Sequence, residues 1–187
     1  LGLENVGIQT DKRGRIPVNK KMETCVEGIY AIGDIVDTPF LAHVASKEGV
    51  VAAENAMGGN KEAIYHAVPR CVYTEPAVAA VGLTEAEAKR AGIRYKKGSF
   101  NFRSLGKAQA IDKIQGFVKV LTDENNRIIG ASVVGPYATD LLTELTLAVQ
   151  LGLTAEQVGD VIHPHPTLSE AIMEALHDIY GQSIHKV

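Results

Sequence analysis

Cysteine is scarce in this chain: Cys25 and Cys71 are the only two in 187 residues. They lie too far apart to form a local zinc or redox motif, and two are too few for a secreted disulfide framework. The expectation is a pair of buried free thiols in a reducing compartment. An excess of one charge is also lacking. Lysine and arginine number 19 against 22 aspartates and glutamates, which leaves no electrostatic footprint for nucleic acid. No apolar run approaches the roughly 20 residues that span a bilayer, so no membrane role is indicated. The chain opens on Leu1 without a charged, apolar or Arg-rich leader and reads as a piece of something longer. What remains is 45% hydrophobic and 22% charged, the composition of an ordinary globular protein with one fair-sized domain or two small ones.

The first third looks unfinished. After turn chemistry at 11–14, the run "GIYAI" at 28–32 is almost continuously apolar and ends at Gly33 and Asp34. Such a run predicts a strand buried on both faces, as in a parallel sheet. The stretch at 42–57 predicts a helix rich in small residues, closed by Gly58 and Gly59. One buried strand and one helix do not make a core, so the sheet partners are expected elsewhere.

From about Val68 the pattern changes. Short β segments flank Pro76, and Thr84 with Glu87 forms a capping box for a helix over 84–92. The segment 116–135 predicts two strands joined by a polar loop. Apolar residues at helical spacing predict helices over 139–151 and 167–180. Strands followed by helices imply an α+β layer with the helices on one face.

Two motifs carry chemistry. Asp34 sits just past a predicted strand end, where open α/β sheets gather ligands, and its carboxylate can accept bonds from sugar or ribityl hydroxyls. The backbone N–H groups near Ala42 and His43 begin a helix and would face an anion. On spacing alone, a plain strand-to-loop turn is the better explanation of Gly33–Asp34. The second motif is "HPHPTLSE", 163–170. An imidazole can take and return a proton near neutrality, and Pro164 and Pro166 restrict the backbone that aims His165. An X-Pro bond here is a candidate for the cis form. Thr167 and Glu170 also spell a capping box for the last helix, and a carboxylate has oxygens enough for both tasks. His163 could support the site from behind, but reads first as a bland loop histidine. His43, His66, His177 and His185 have no neighbours at metal-ligand spacing. Tyr73, Tyr137 and Phe40 read as packing residues.

"IYAIGDI" followed by "LAHVA" resembles the second FAD fingerprint of the flavoprotein disulfide reductases. "VYTEPAVAAVGLTEAEA" resembles the start of their interface domain, and "HPHPTLSEA" the active-site ending of the dihydrolipoamide dehydrogenase branch. The resemblance runs in order along essentially the whole chain. It implies that 1–67 is the C-terminal remnant of an α/β FAD-binding domain and 68–187 an α+β interface domain with an antiparallel sheet. It implies that Asp34, Phe40, Leu41, Ala42 and His43 contact FAD. His165 becomes the base for a dithiol, with Glu170 as its partner, reaching across a homodimer to the other subunit's disulfide. NAD is the electron acceptor, and a lipoylated acyltransferase of a 2-oxo acid dehydrogenase complex the protein partner.

The family's Gly-rich phosphate loops and its Cys-x4-Cys pair are missing from this sequence. The chain by itself is therefore expected neither to retain FAD nor to turn over. Two other readings stay open: a non-catalytic module for dimerisation or complex docking, and part of a glutathione-type reductase.

Overall fold

The computed structural model describes residues 1–186 and divides the chain into two compact units, one ending at Tyr65 and one beginning at His66. In the first unit the principal element is helix α1, Ala42–Ala56. Its buried Val51 clusters with Met22 and Ala63, while Ile8, Ile16, Ala31 and Val36 form a second small cluster. The Asn55 amide ties the pieces together by donating to the carbonyls of Lys21 and Lys61 (3.1 and 2.8 Å) and accepting from Lys61 N–H. The expected parallel strand at 28–32 does not form. Tyr30 makes only an isolated antiparallel bridge to Glu23, with Ala31 N–H on the Met22 carbonyl and Thr24 N–H on the Ile29 carbonyl. A ladder needs a neighbouring strand, and with none alongside among the described residues, the run folds back on residues 22–24.

The second unit is built on a five-stranded, wholly antiparallel sheet: β1 (Arg70–Val72), β2 (Ala77–Gly82), β3 (Lys96–Asn101), β4 (Phe117–Thr122) and β5 (Ile128–Gly135), in the order β1-β2-β5-β4-β3. The β4–β5 hairpin turns where the sequence predicts it. Asp123 holds the turn by accepting from the amides of Asn125 and Arg127. Between β2 and β3, α2 (Glu85–Arg90) starts from a complete Thr84/Glu87 capping box. Its Glu85 meets Lys97 and Lys119, at 3.6 and 2.8 Å. A short α3, Gly106–Ala110, follows β3.

The core lies on one face of the sheet. Helix α4 (Ala138–Leu151) packs on β2 and β5, and α6 (Glu170–Asp178) on β3 and β4. Leu142, Leu145, Ile172 and Leu176 are fully buried against Val81, Phe100, Val118 and Val133. This is the α+β arrangement with helices on one face. Strand β3, α3 and the short α5 (Ala155–Gly159) are not anticipated by the sequence reading. In "KKGSFN" only Gly98 and Phe100 face the core, too brief an alternation to stand out.

Helix α6 sits against β3 at backbone distance. A Cβ on Gly98 would lie 2.1 Å from the Ala175 carbonyl oxygen and 2.9 Å from the Ile179 nitrogen. Nearby, Ser99 N–H donates to Asp178, 2.8 Å. Gly98→Ala therefore overpacks this seam and costs about 1–3 kcal/mol. Denaturant titration should show a lower midpoint with an unchanged slope; an unaltered midpoint would mean that α6 is free to move off the sheet.

Candidate active site

The "HPHPTLSE" segment leaves α5 and returns as α6. Thr154 and Gln157 cap α5 reciprocally, and a Cβ on Gly159 would lie 3.1 Å from the His177 ring, so the two helices approach closely. The loop between them is thus pinned at both ends. The His165–Pro166 peptide is cis. Helix α6 begins later than the sequence suggests, at Glu170 with Ser169 as N-cap. The expected capping box is half formed. Thr167 N–H donates to Glu170 Oε2 (2.8 Å), while the Thr167 hydroxyl donates to the Pro164 carbonyl and the helix takes Ser169 as its N-cap.

Glu170 has its other oxygen free for the ring. Oε1 lies 2.8 Å from His165 Nδ1. The two side chains differ sharply in exposure, 79% for His165 and 15% for Glu170. Burial raises the Glu170 carboxyl's proton affinity, but the Thr167 amide and the His165 ring outweigh it and hold the group below its ordinary range. The group is therefore an ionised acceptor at neutral pH, so Nδ1 carries the hydrogen. In the neutral ring Nε2 then keeps its lone pair, on a side chain open to solvent. Such a group is equipped to accept a proton from outside this unit and to hold it while the carboxylate stabilises the imidazolium.

His163 departs from the expected bland loop residue. Its side chain is only 4% exposed. Nδ1 lies 2.7 Å from the Val161 carbonyl oxygen and Nε2 3.0 Å from Glu144 on α4. The sequence reading missed this pair because Glu144 is 19 residues away on another element; the two-residue spacing of the histidines was the available signal.

The other set of expected residues lies in the first unit. Asp34 is an exposed carboxylate in the turn Gly33–Ile35. Glu48, fully buried on α1, fixes that turn: Oε2 accepts from Gly33 N–H at 2.7 Å and Oε1 from the Tyr65 hydroxyl at 2.9 Å. Burial and the adjacent Glu48 charge push the Tyr65 phenol well above its ordinary value. Nothing in the sequence pattern singled Glu48 out. Leu41 is half-buried, and Ala42 and His43 begin α1, which has no side-chain cap and no acidic residue in its first turn. The positive end of its dipole therefore meets no carboxylate of its own helix.

Several packing expectations are corrected. Phe40, Tyr73 and Tyr137 are 51%, 81% and 59% exposed, and Phe40 stacks beneath the Arg15 guanidinium, 4.7 Å from the ring centre. Both cysteines are free, but Cys25 is exposed and Cys71 only half-buried. His185 pairs with the buried Glu174 at 2.7 Å.

Residues 68–176 match the dimerisation domain of pyridine nucleotide-disulphide oxidoreductase, and residues 1–49 match pyridine nucleotide-disulphide oxidoreductase itself. Among curated relatives, a dihydrolipoyl dehydrogenase of Thermus scotoductus is 50% identical over 99% of this chain, which covers 40% of that protein. One from Haloferax volcanii is 46% identical over 99% of this chain and 39% of its own length. The chain therefore spans about two fifths of these relatives. The crystal structure of LpdA from Mycobacterium tuberculosis superposes on 95% of this chain and 39% of its own, with TM-score 0.89 and 31% identity. A dimerisation domain indicates assembly as a homodimer. No helix among the described residues is long and apolar enough to cross a membrane. With one family domain spanning 68–176 and the same family's signature at 1–49, the chain belongs to the pyridine nucleotide-disulphide oxidoreductases, of which it carries the dimerisation domain.

Proposed function

We propose that this chain is the C-terminal part of an FAD-dependent dihydrolipoamide dehydrogenase, and that His165 is the base of its dithiol half-reaction. The observation that carries the reading is the His165–Glu170 pair: an exposed imidazole whose Nδ1 is held at 2.8 Å by a mostly buried, ionised carboxylate. Dithiol–disulfide exchange needs that group, because the thiolate and not the thiol attacks. His165 Nε2 takes the proton of the incoming dihydrolipoyl thiol. Glu170 keeps the ring oriented until the proton is returned. The chain supplies no Cys-x4-Cys pair; by its resemblance to the family, the disulfide it serves lies in the partner subunit of the homodimer. The sizeable exposed apolar side chains Val161, Ile162, Leu147 and Leu151 suit a surface covered on assembly.

In this reading residues 1–67 close the FAD-binding domain and 68–187 form the interface domain; Val187 lies outside the described residues. The Asp34 carboxylate fits the hydroxyls of the flavin's sugar-alcohol chain. The start of α1 at Ala42 and His43, flanked by Phe40 and Leu41, fits the negative charge that a reduced flavin carries. When bound, FAD would supply electron transfer between the dithiol pair and NAD+, and Asp34 with the Ala42–His43 helix start would hold one end of it. The relatives' common name, dihydrolipoyl dehydrogenase, favours a lipoylated acyltransferase as partner over a glutathione-type substrate. The compartment is the cytoplasm, or the mitochondrial matrix in a eukaryote; the relative from Caenorhabditis elegans is named as mitochondrial.

Stopped-flow kinetics on the full-length enzyme separate the two half-reactions. His165→Gln should slow flavin reduction by dihydrolipoamide by about 10²–10⁴, the usual worth of a positioned base. Reoxidation by NAD+ should change far less. Glu170→Gln keeps an oxygen for the ring and drops the charge, so its loss should be smaller and confined to the same half-reaction. Equal damage to both steps would count against the base assignment.

The 187-residue chain alone should be colourless, since Asp34 and the α1 terminus are one end of a site whose phosphate loops it lacks. An absorbance scan of purified protein checks this. A stoichiometric flavin band would show that these residues suffice.

A further inference from the structure

We infer that His163 is a positioning residue for His165, acting through a buried clamp to Glu144; the inference rests on the base assignment above. Two residues apart, with one proline between, the two histidines face opposite ways: the His163 side chain is 4% exposed, that of His165 79%. Within the single chain the loop around them is bare. Ile162 is 95% exposed, and among the described residues no backbone–backbone hydrogen bond involves residues 162–166. Besides the His165–Glu170 bond to α6 and the Thr167 hydroxyl on the Pro164 carbonyl, the His163 ring ties this stretch to α4. Nε2 reaches Glu144 Oε1 at 3.0 Å, and Nδ1 folds back on the Val161 carbonyl at 2.7 Å. Glu144 belongs to α4, which lies on β2 and β5, so the tie runs from the loop to the rigid layer of the unit.

The proton inventory makes the clamp directional. The Val161 oxygen only accepts, so Nδ1 carries a hydrogen. The Nε2–Oε1 contact then needs one more hydrogen, whichever side chain owns it, and the two form a charge-assisted bond or an acid–base hydrogen bond. Each histidine of the motif is thus held by a glutamate through a different nitrogen: His165 by Nδ1 to Glu170 on α6, His163 by Nε2 to Glu144 on α4. Glu170 sets the rotation of the His165 ring. The clamp sets where its backbone stands. Proton transfer from a thiol depends on both, and a displacement of about 1 Å can cost as much as 10²-fold in rate.

The test uses the full-length, FAD-loaded enzyme with His165→Gln as reference. His163→Ala and Glu144→Ala should each slow flavin reduction by dihydrolipoamide by about 10- to 100-fold and leave reoxidation by NAD+ unchanged. Because both break one contact, the double variant should be no slower than the worse single one. His163→Gln and Glu144→Gln, which keep a donor and an acceptor in place, should recover most of the rate. Losses that multiply, or that strike both half-reactions alike, would overturn the clamp and leave His163 as ordinary loop packing. Should His163→Ala fail to fold, Glu144→Ala, at a side chain 34% exposed, decides alone: a normal dithiol step overturns the inference. If instead His165→Gln leaves the dithiol step intact, the base assignment itself has failed and the clamp has nothing to position.

Discussion

The two oxygens of the Glu170 carboxylate are the constraint on which the site depends. One receives Thr167 N–H, the other His165 Nδ1, both at 2.8 Å. The first bond stops the last turn of the loop and starts α6; the second fixes which face of the imidazole is a base. Helix start and ring orientation are therefore one geometric fact. A shift of α6 along β3 would move both together, and the backbone-close seam at Gly98 is what opposes that shift. The chemistry at the exposed end of the loop is in this sense anchored in the sheet.

Local patterns in the sequence were readable wherever both partners lie within a few residues. The Thr84/Glu87 box, the Asp123 turn and the β4–β5 hairpin all close over short distances, and all are present. The stripe of α4 was equally plain. Periodicity misled where an element needs a neighbour that the chain does not supply: "GIYAI" has the composition of a buried parallel strand but forms only one bridge, Glu23 to Tyr30. It was silent on β3, where "KK" and a glycine conceal two inward positions.

The site shows the same division. His165 and Glu170 sit five residues apart, and the motif made the pair legible. The capping box at Thr167 was half right: Glu170 reaches back to Thr167 N–H, but α6 begins at Glu170 with Ser169 as N-cap, so Thr167 is not the residue whose hydroxyl caps the first turn. His163 and Glu144 are 19 residues apart and Gly33 and Glu48 are 15 apart, each pair on different elements. Contacts of that range depend on how the chain packs. A buried glutamate is a costly residue to leave unpaired, so Glu48, fully satisfied by Gly33 and Tyr65, is the clearest position where packing carried information that spacing did not.

Helix α6 joins these observations. It presents Glu170 and Glu174 one turn apart, an arrangement of like charges that is unfavourable on an isolated helix. Each is taken up by a different flanking segment. Glu170 serves the loop before the helix, and Glu174, 1% exposed, gathers the Ser183 hydroxyl, the Ile184 amide and the His185 ring from the segment after it. For both carboxyls burial pushes the proton affinity up and these hydrogen bonds more than reverse it. Both are therefore charged at neutral pH, and the repulsion between them is offset by donors that only the folded chain supplies. The helix acts as a clip closed at its start and from behind by the tail. That is why a nine-residue segment, too short to be stable alone, can hold an exposed imidazole in one orientation.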